Sequence, residues 1–132
     1  MSRSEQLAEF VASLRDKPVT WGVDDCCSWV RAWIARAAHM DVAVPAYASR
    51  RDAQAIIVGA GGLPALWSDL AFRHGLAPTG APALGDVGLV EMSFGPAGVI
   101  FAAGGTCCVR TDTGVSFMQP RTSTIVAAWA VP

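Results

Sequence analysis

Residues 20–30, with the sequence TWGVDDCCSWV, place two adjacent cysteines where a loop passes into an amphipathic helix. The first N–H groups of a helix have no partner within it and the helix dipole is positive there, so this position favours a thiolate. Asp24 or Asp25 is a suitable N-cap, which would place Cys26 or Cys27 in the first turn. The same pattern also fits an ordinary capped helix with two buried cysteines.

The length and charge of the chain predict its domain organisation and argue against some classes of binding partner. The 132 residues, 52% of them hydrophobic, predict a single domain spanning residues 1–132 with a sizeable core. Ten basic and eleven acidic residues without a run of either sign argue against a nucleic acid or an anionic membrane as partner. The N-terminus lacks the apolar stretch of a signal peptide, and no apolar run is long enough to span a bilayer, so we expect a chain made in a cytosol.

The four cysteines form two adjacent pairs, Cys26-Cys27 and Cys107-Cys108. This arrangement matches neither the disulfide framework of a small secreted protein nor the CxxC spacing of a zinc site. Neighbouring residues on a strand point to opposite faces, so Cys107 and Cys108 are poorly placed to bind one metal together. We therefore predict no metal and no cofactor. A redox switch at Cys26-Cys27 would need a strained vicinal disulfide.

Helical periodicity dominates the first half of the chain. Ser2 and Glu5 form a capping-box pattern, Pro18 ends the first helix, and Gly75 is a typical C-terminal cap. The predicted helices cover residues 2–16 and 26–40, a third segment from 49 to the glycines at 59–62, and residues 63–74.

The second half changes to alternating and β-rich patterns. Strands are predicted at residues 86–92, 98–103, 106–111, 115–118 and 124–131, with residues 94–96 in a loop and Gly104-Gly105 in a two-residue hairpin. On the last strand, alternation assigns Ile125, Ala127, Trp129 and Val131 to the core. Helices followed by antiparallel strands predict an α+β fold in which N-terminal helices pack on a C-terminal sheet of about five strands.

Two short motifs resemble the NlpC-type papain-like cell-wall peptidases, and more narrowly their small relatives encoded among phage tail-tip genes. Asp25-Cys26 matches the pair that opens the central helix in that family, and Gly85-Asp86 matches the dipeptide that opens the first core strand. The resemblance covers roughly residues 10–129. It implies a papain-like fold with Cys26 at the nucleophile position and Asp25 as helix cap, and leaves Cys27 as the alternative thiol.

The family's catalytic histidine is absent from the matching position. Its pattern His-x-Gly-Ile or His-x-Gly-Val corresponds here to residues 96–99, so the histidine position falls on Pro96. Proline has no side chain that can accept the thiol proton. The position that should orient the imidazole falls within residues 106–110, which contain no histidine, asparagine or glutamine.

Neither histidine of the chain is well placed to replace it. His39 lies near the far end of the helix that follows the cysteines, about 18 Å from them at 1.5 Å per residue. His74 falls in the last turn of another helix, where a histidine commonly interacts with the helix terminus. Asp24, Asp25 and Asp86 would raise the pKa of a neighbouring thiol, so they are expected to cap loops and helices instead.

Two hypotheses follow from the resemblance and its missing histidine. The first is a structural virion protein with a degenerate NlpC-type fold, made in the host cytoplasm and built into a phage tail tip or hub with other tail proteins. The second is an active cysteine peptidase or amidase that hydrolyses peptidoglycan cross-links with Cys26 and an unrecognised base. The charged fraction of only 16% favours surfaces that meet other subunits, with the loops at Tyr47, 94–96 and 118–120 as candidates.

Overall fold

Four helices precede five strands in the part of the chain that the computed structural model describes, which is residues 1–132 without the side chain of Ser123. The helices are α1 (Arg3–Ser13), α2 (Ser28–Ala38), α3 (Arg50–Gly59) and α4 (Leu63–His74). The strands are β1 (Val87–Met92), β2 (Gly95–Phe101), β3 (Cys107–Thr111), β4 (Gly114–Met118) and β5 (Ile125–Trp129). The α+β class and the order of helices before strands are therefore as the sequence predicts.

The strands form one antiparallel sheet in the order β4-β3-β2-β1-β5. Consecutive strands from β1 to β4 are neighbours, and β5 returns to pair with β1. In the described residues no single helix is long and apolar enough to cross a bilayer, whereas α3 and α4 meet that test only as a pair bent by 75°.

The helix ends follow the predicted caps with one important difference. Ser2 and Glu5 form the capping box of α1, Ser49 caps α3 through the N–H of Asp52, and α4 has its predicted bounds. Helix α2, however, begins at Ser28 and not at Cys26, so both cysteines precede its first turn. The predicted start was wrong because the Asp25 carboxylate binds the N–H groups of the following residues and holds the cysteines in a turn.

Two predicted loops in the sheet were also wrong. Strand β2 begins at Gly95, so Pro96 is a strand residue; it is tolerated because β2 pairs with β3 only from Val99 onward and Pro96 needs no donor on that side. Gly104-Gly105 is not a two-residue hairpin. A 3-10 turn at Ala103–Gly105 widens this connection, which is closed where the Ala102 N–H donates to the Thr106 carbonyl at 2.8 Å.

The sheet has apolar residues on both faces. On the helix side, Cys108, Ile100 and Trp129 join the main core with the tryptophans of the helices. The back-face cluster on the other side comprises Val90, Val99, Phe101, Cys107, Val109 and Ala128. Cys107 and Cys108 therefore point to opposite faces, as alternation predicts, and both are fully buried. The prediction for β5 fails at Ile125, which packs on the back face because a register shift opposite Leu89 and Val90 breaks the alternation.

Helix α2 is fixed against the sheet by two buried indoles. Trp29 Nε1 donates to the Gly98 carbonyl at 3.1 Å, and Trp33 Nε1 donates to the Gly85 carbonyl at 2.8 Å. Both tryptophans have no exposed surface. Close approach is possible because Gly98 lacks a side chain: a Cβ there would lie 2.5 Å from the Cys26 carbonyl oxygen and 3.0 Å from Val30 Cγ2.

We therefore expect Gly98→Ala to lower the free energy of unfolding by about 1–3 kcal/mol, because the added methyl group collides with backbone that cannot move aside cheaply. Gly59→Ala is the matched control, since a Cβ at this helical position meets nothing within 4 Å. It should leave stability unchanged or raise it by about 0.5–1 kcal/mol. Denaturant unfolding of both variants measures the difference; equal stabilities would contradict the proposed close contact.

Candidate functional site

The carboxylate of Asp25 organises the loop before α2. It accepts hydrogen bonds from the N–H of Gly22 at 2.7 Å, from the N–H groups of Cys27 and Ser28 at 3.1 and 3.3 Å, and from the Tyr47 hydroxyl at 2.6 Å. Only 1% of Asp25 is exposed. The Asp25 carboxylate thus binds two N–H groups at the start of α2, whose N-cap residue is Cys27.

Gly22 allows this loop to close. Its φ is +86°, and a Cβ there would lie 2.0 Å from the carbonyl oxygen of Tyr47. A side chain would thus be strained by the backbone conformation and would also push away the segment that carries Tyr47. The Tyr47 hydroxyl, which donates to Asp25, also lies 2.7 Å from Ser28 Oγ.

Cys26 lines a cavity of about 490 Å³ between the cysteine loop, the helix pair α3–α4 and the hairpin ends of the sheet. We call this cavity the groove. Its walls include Trp21, Cys26, Arg50, Ile57, Leu63, Phe94, Pro96 and Arg110. Cys26 is half-buried, whereas Cys27, which also borders the groove, is 3% exposed and packs into the main core. Cys26 is thus the thiol more accessible from the groove.

The environment of both thiols disfavours the thiolate. Burial raises the pKa of Cys26, and the negative charge of Asp25 raises it further, outweighing Arg50 and two backbone N–H groups that lower it. Burial raises the pKa of Cys27 to about 12. The expectation that the helix terminus favours a thiolate is therefore wrong here: α2 begins after the cysteines, and burial and the charge of Asp25 outweigh the backbone N–H groups that stabilise sulfur.

Pro96 borders the groove together with Cys26, but the described residues that line the groove include no histidine. His39 is the C-terminal cap of α2, at the end of the helix away from the cysteines. His74 Nε2 accepts a hydrogen bond from the Ala43 N–H at 3.1 Å, so this imidazole binds the loop between α2 and α3. The structure thus brings Cys26 and Pro96 to one cavity and leaves both histidines outside its walls.

Arg110 occupies the part of β3 where the resemblance requires the residue that orients an imidazole. Its side chain is only 1% exposed. It donates to the carbonyls of Lys17, Asp24, Thr111 and Gly114 at 2.8–3.0 Å and to Asp24 Oδ1 at 3.4 Å. Because a guanidinium has donors but no acceptor, Arg110 fixes the cysteine loop to the sheet and cannot receive a bond from an imidazole N–H.

Asp24, in the cysteine loop, provides a negative charge beside Arg110. It pairs with Lys17 and Arg110 and accepts the Thr20 N–H at 2.8 Å. Burial raises the pKa of Asp24, but the hydrogen bonds from Lys17 and Thr20 and the charges of Lys17 and Arg110 outweigh it, so the pKa lies below its ordinary value. Asp86 has the predicted loop role: it accepts the N–H groups of Ala83 and Val131.

Three site residues were not identified from the sequence. The loop at Tyr47 was a candidate surface for other subunits, and the bond from the Tyr47 hydroxyl to Asp25 was not predicted. The only signal for Tyr47 is that it is the single tyrosine of the chain. Residue 110 falls in a predicted strand and residue 50 in the predicted third helix, but no pattern in the sequence indicates the contacts of either arginine. In the described residues no group of three His, Cys, Asp or Glu side chains is arranged to hold a metal ion.

A family model described as "Domain of unknown function (DUF6950)" matches residues 2–131. No curated protein matches the chain.

We expect the Cys26 thiol to react with iodoacetamide at neutral pH more slowly than free cysteine, because burial and Asp25 raise its pKa. Asp25→Asn removes the charge and should lower this pKa and speed alkylation severalfold. Asp41→Asn, a change at an exposed carboxylate, should have no effect. Mass spectrometry over a pH series identifies the modified cysteine; a Cys26 that titrates below free cysteine would contradict the prediction.

The lowered pKa of Asp24 predicts an acid-sensitive contribution to stability. A carboxylate whose folded pKa is below its unfolded pKa stabilises the protein above the unfolded pKa of about 3.9, and this contribution is lost as pH falls through the folded value. Asp24→Asn should therefore cost about 2 kcal/mol at neutral pH and progressively less below about pH 4. Denaturant unfolding across pH, with exposed Asp69→Asn as control, tests this; a cost independent of pH would contradict it.

Proposed function

For this chain, which belongs to the DUF6950 family of unknown function, we propose the role of a catalytically inactive papain-like domain of NlpC type that serves as a structural protein of a phage tail tip or hub. The observation that carries the proposal is the composition of the groove. Cys26 and Pro96 border one cavity, and its described lining residues include no histidine. The thiol position of a peptidase is thus present without its base.

The arrangement of α2 on the sheet supports the papain-like part of the proposal. In the NlpC-type fold that the sequence resembles, the Asp-Cys pair opens a central helix and the histidine lies at the start of the second core strand. Here Cys26 precedes α2, and Pro96 lies near the start of β2. Gly98 and Trp29 hold these two elements in contact, so an imidazole in place of Pro96 would border the same cavity as the thiol.

Chemical reasoning favours inactivity. A cysteine peptidase needs a thiolate and a general base within hydrogen-bond reach. Here the Cys26 pKa is raised, and the nearest anionic group, Asp25, already accepts four hydrogen bonds. Arg110, within the residues 106–110 where the resemblance places the orienting residue, binds the backbone of the cysteine loop. Each change converts a catalytic position into a structural one.

The structural role in a tail rests on the resemblance to short phage tail-tip relatives and on the surface. Several large apolar side chains are exposed, including Phe72 at 85% and Phe94 at 73%. A chain with 16% charged residues has little material to solvate such positions. We therefore propose that it is made in the host cytoplasm and assembled with other tail-tip or hub proteins.

A partly accessible Cys26 beside an open groove keeps the second hypothesis testable. In that case the chain hydrolyses peptidoglycan cross-links during infection.

We expect the purified chain to release no soluble fragments from peptidoglycan sacculi above the level of Cys26→Ala, because the described lining residues of the groove include no histidine to take up the thiol proton. A known cell-wall hydrolase serves as positive control. Pro96→His should bring an imidazole to the groove and still give no turnover, because Asp25 and Arg110 are unchanged.

Hydrolysis by the wild-type chain that disappears in Cys26→Ala would overturn the inactive assignment and establish the peptidase. The structural part is tested separately by mass spectrometry of purified virions from the phage that carries the gene. The chain should be present at a stoichiometry comparable to that of other tail-tip proteins. Its absence from particles would contradict the virion role whatever the result of the hydrolysis assay.

A further inference from the structure

The two edges of the sheet differ in how well their backbone groups are covered. At the β5 edge, the Thr79 N–H donates to the Ala128 carbonyl at 2.9 Å and the Ala130 N–H donates to the Ala77 carbonyl at 2.8 Å. Pro78 forms an isolated bridge with Trp129, and the register shift in β5 distorts the rest of this edge. Covering segments, proline and bulges are the usual protections of a sheet edge against other strands.

The β4 edge has none of these protections in the described part of the chain. Strand β4 pairs with β3 along its whole length, and no strand lies on its other side. Its residues, Gly114–Met118 with the sequence GVSFM, include no charge and no proline. Phe117 is 61% exposed on this strand. An uncharged, unprotected edge strand presents free backbone groups to another chain.

The register of the β3–β4 hairpin identifies the free backbone groups. Thr111 pairs with Gly114 around a two-residue turn, and pairing continues to Cys107 with Met118. In such a hairpin the residues beside the turn hydrogen bond to each other and every second residue does so thereafter. The N–H and C=O groups of Val115 and Phe117 are consequently directed outward.

We propose that β4 pairs antiparallel with β4 of a second copy, about a two-fold axis at Ser116, to join the two sheets into one. In this register Val115 lies opposite the Phe117 of the other copy, twice by symmetry. These are the outward-directed residues, so each pair exchanges two backbone hydrogen bonds. A β-branched residue opposite an aromatic one is a favourable cross-strand pair. The strand is therefore complementary to itself.

Charge at the ends of the strand favours the same partner. If this register continues past β4, Asp112 in the turn before the strand lies opposite Pro120 of the other copy, next to Arg121. Both residues are exposed. Like charges do not face each other anywhere along the pairing, because residues 113–120 are uncharged.

The difference between the edges limits the assembly to a dimer. Because β5 is already covered, a second copy can add only to β4, and the isologous contact closes on itself. A pairing of five residues is about 17 Å long and buries less than a standard interface, so we expect a reversible dimer that dissociates on dilution. This inference does not depend on the proposed tail role.

Sedimentation velocity from micromolar to millimolar concentration tests the pairing. The wild-type chain should shift from monomer to dimer without larger species. Phe117→Lys places a charge opposite Val115 of the other copy and should stay monomeric throughout. Val126→Lys is the matched control, since Val126 is 45% exposed on the opposite edge and its substitution should leave the dimer intact. Circular dichroism and thermal unfolding verify that each variant is folded.

Cross-linking tests the register independently. Residues 116 of the two copies form a non-hydrogen-bonded pair with Cα atoms about 4.5 Å apart, within the range of a disulfide. With Cys26→Ala as background, Ser116→Cys should form a disulfide-linked dimer with oxidised glutathione, and Val126→Cys should not. A wild-type chain that remains monomeric, a dimer that persists in Phe117→Lys, or equal cross-linking at both positions would overturn the proposal.

Discussion

The geometry of the site depends on one buried carboxylate. Asp25 holds the N–H groups of Gly22, Cys27 and Ser28 and the hydroxyl of Tyr47 at once. A buried carboxylate is stable only when its oxygens are satisfied, so these four donors are required wherever the loop keeps this shape. The same carboxylate affects the neighbouring sulfur, because its negative charge raises the pKa of the Cys26 thiol. Structural order in the loop is obtained at the expense of nucleophilicity.

The residues around the groove hold the elements of the fold together. Pro96 stiffens the start of β2, and Arg110 links this sheet to the cysteine loop through backbone carbonyls. Gly98 allows α2 to lie directly on the strand. Under the proposed function, these contacts keep the scaffold that brings a thiol and a base together in a peptidase, and the groups that transfer the proton are replaced. This combination is what the proposed inactive papain-like domain requires.

Much of the fold could be predicted from the sequence because local signals and long-range packing agree. The caps at Ser2, Ser49 and Gly75 define helix ends through their own side chain or backbone conformation. The errors arise where a distant contact decides. Helix α2 begins later than predicted because the Asp25 carboxylate binds the N–H groups of Gly22 before it and Cys27 after it. Ile125 lies on the other face because the pairing of β5 with β1 contains a register shift. Arg110 binds the carbonyls of Asp24 and Lys17, which lie 86 and 93 residues away in the sequence, so no local pattern predicts these contacts.

The length of these connections has a kinetic consequence. The cysteine loop is synthesised early, but the guanidinium that fixes it is carried by β3, 93 residues from Lys17 and 86 from Asp24. Contacts of high sequence separation form slowly because loop closure must precede them. The N-terminal helices can therefore collapse while the loop is still unanchored. The groove has its final shape only once β3 has brought Arg110 to the cysteine loop.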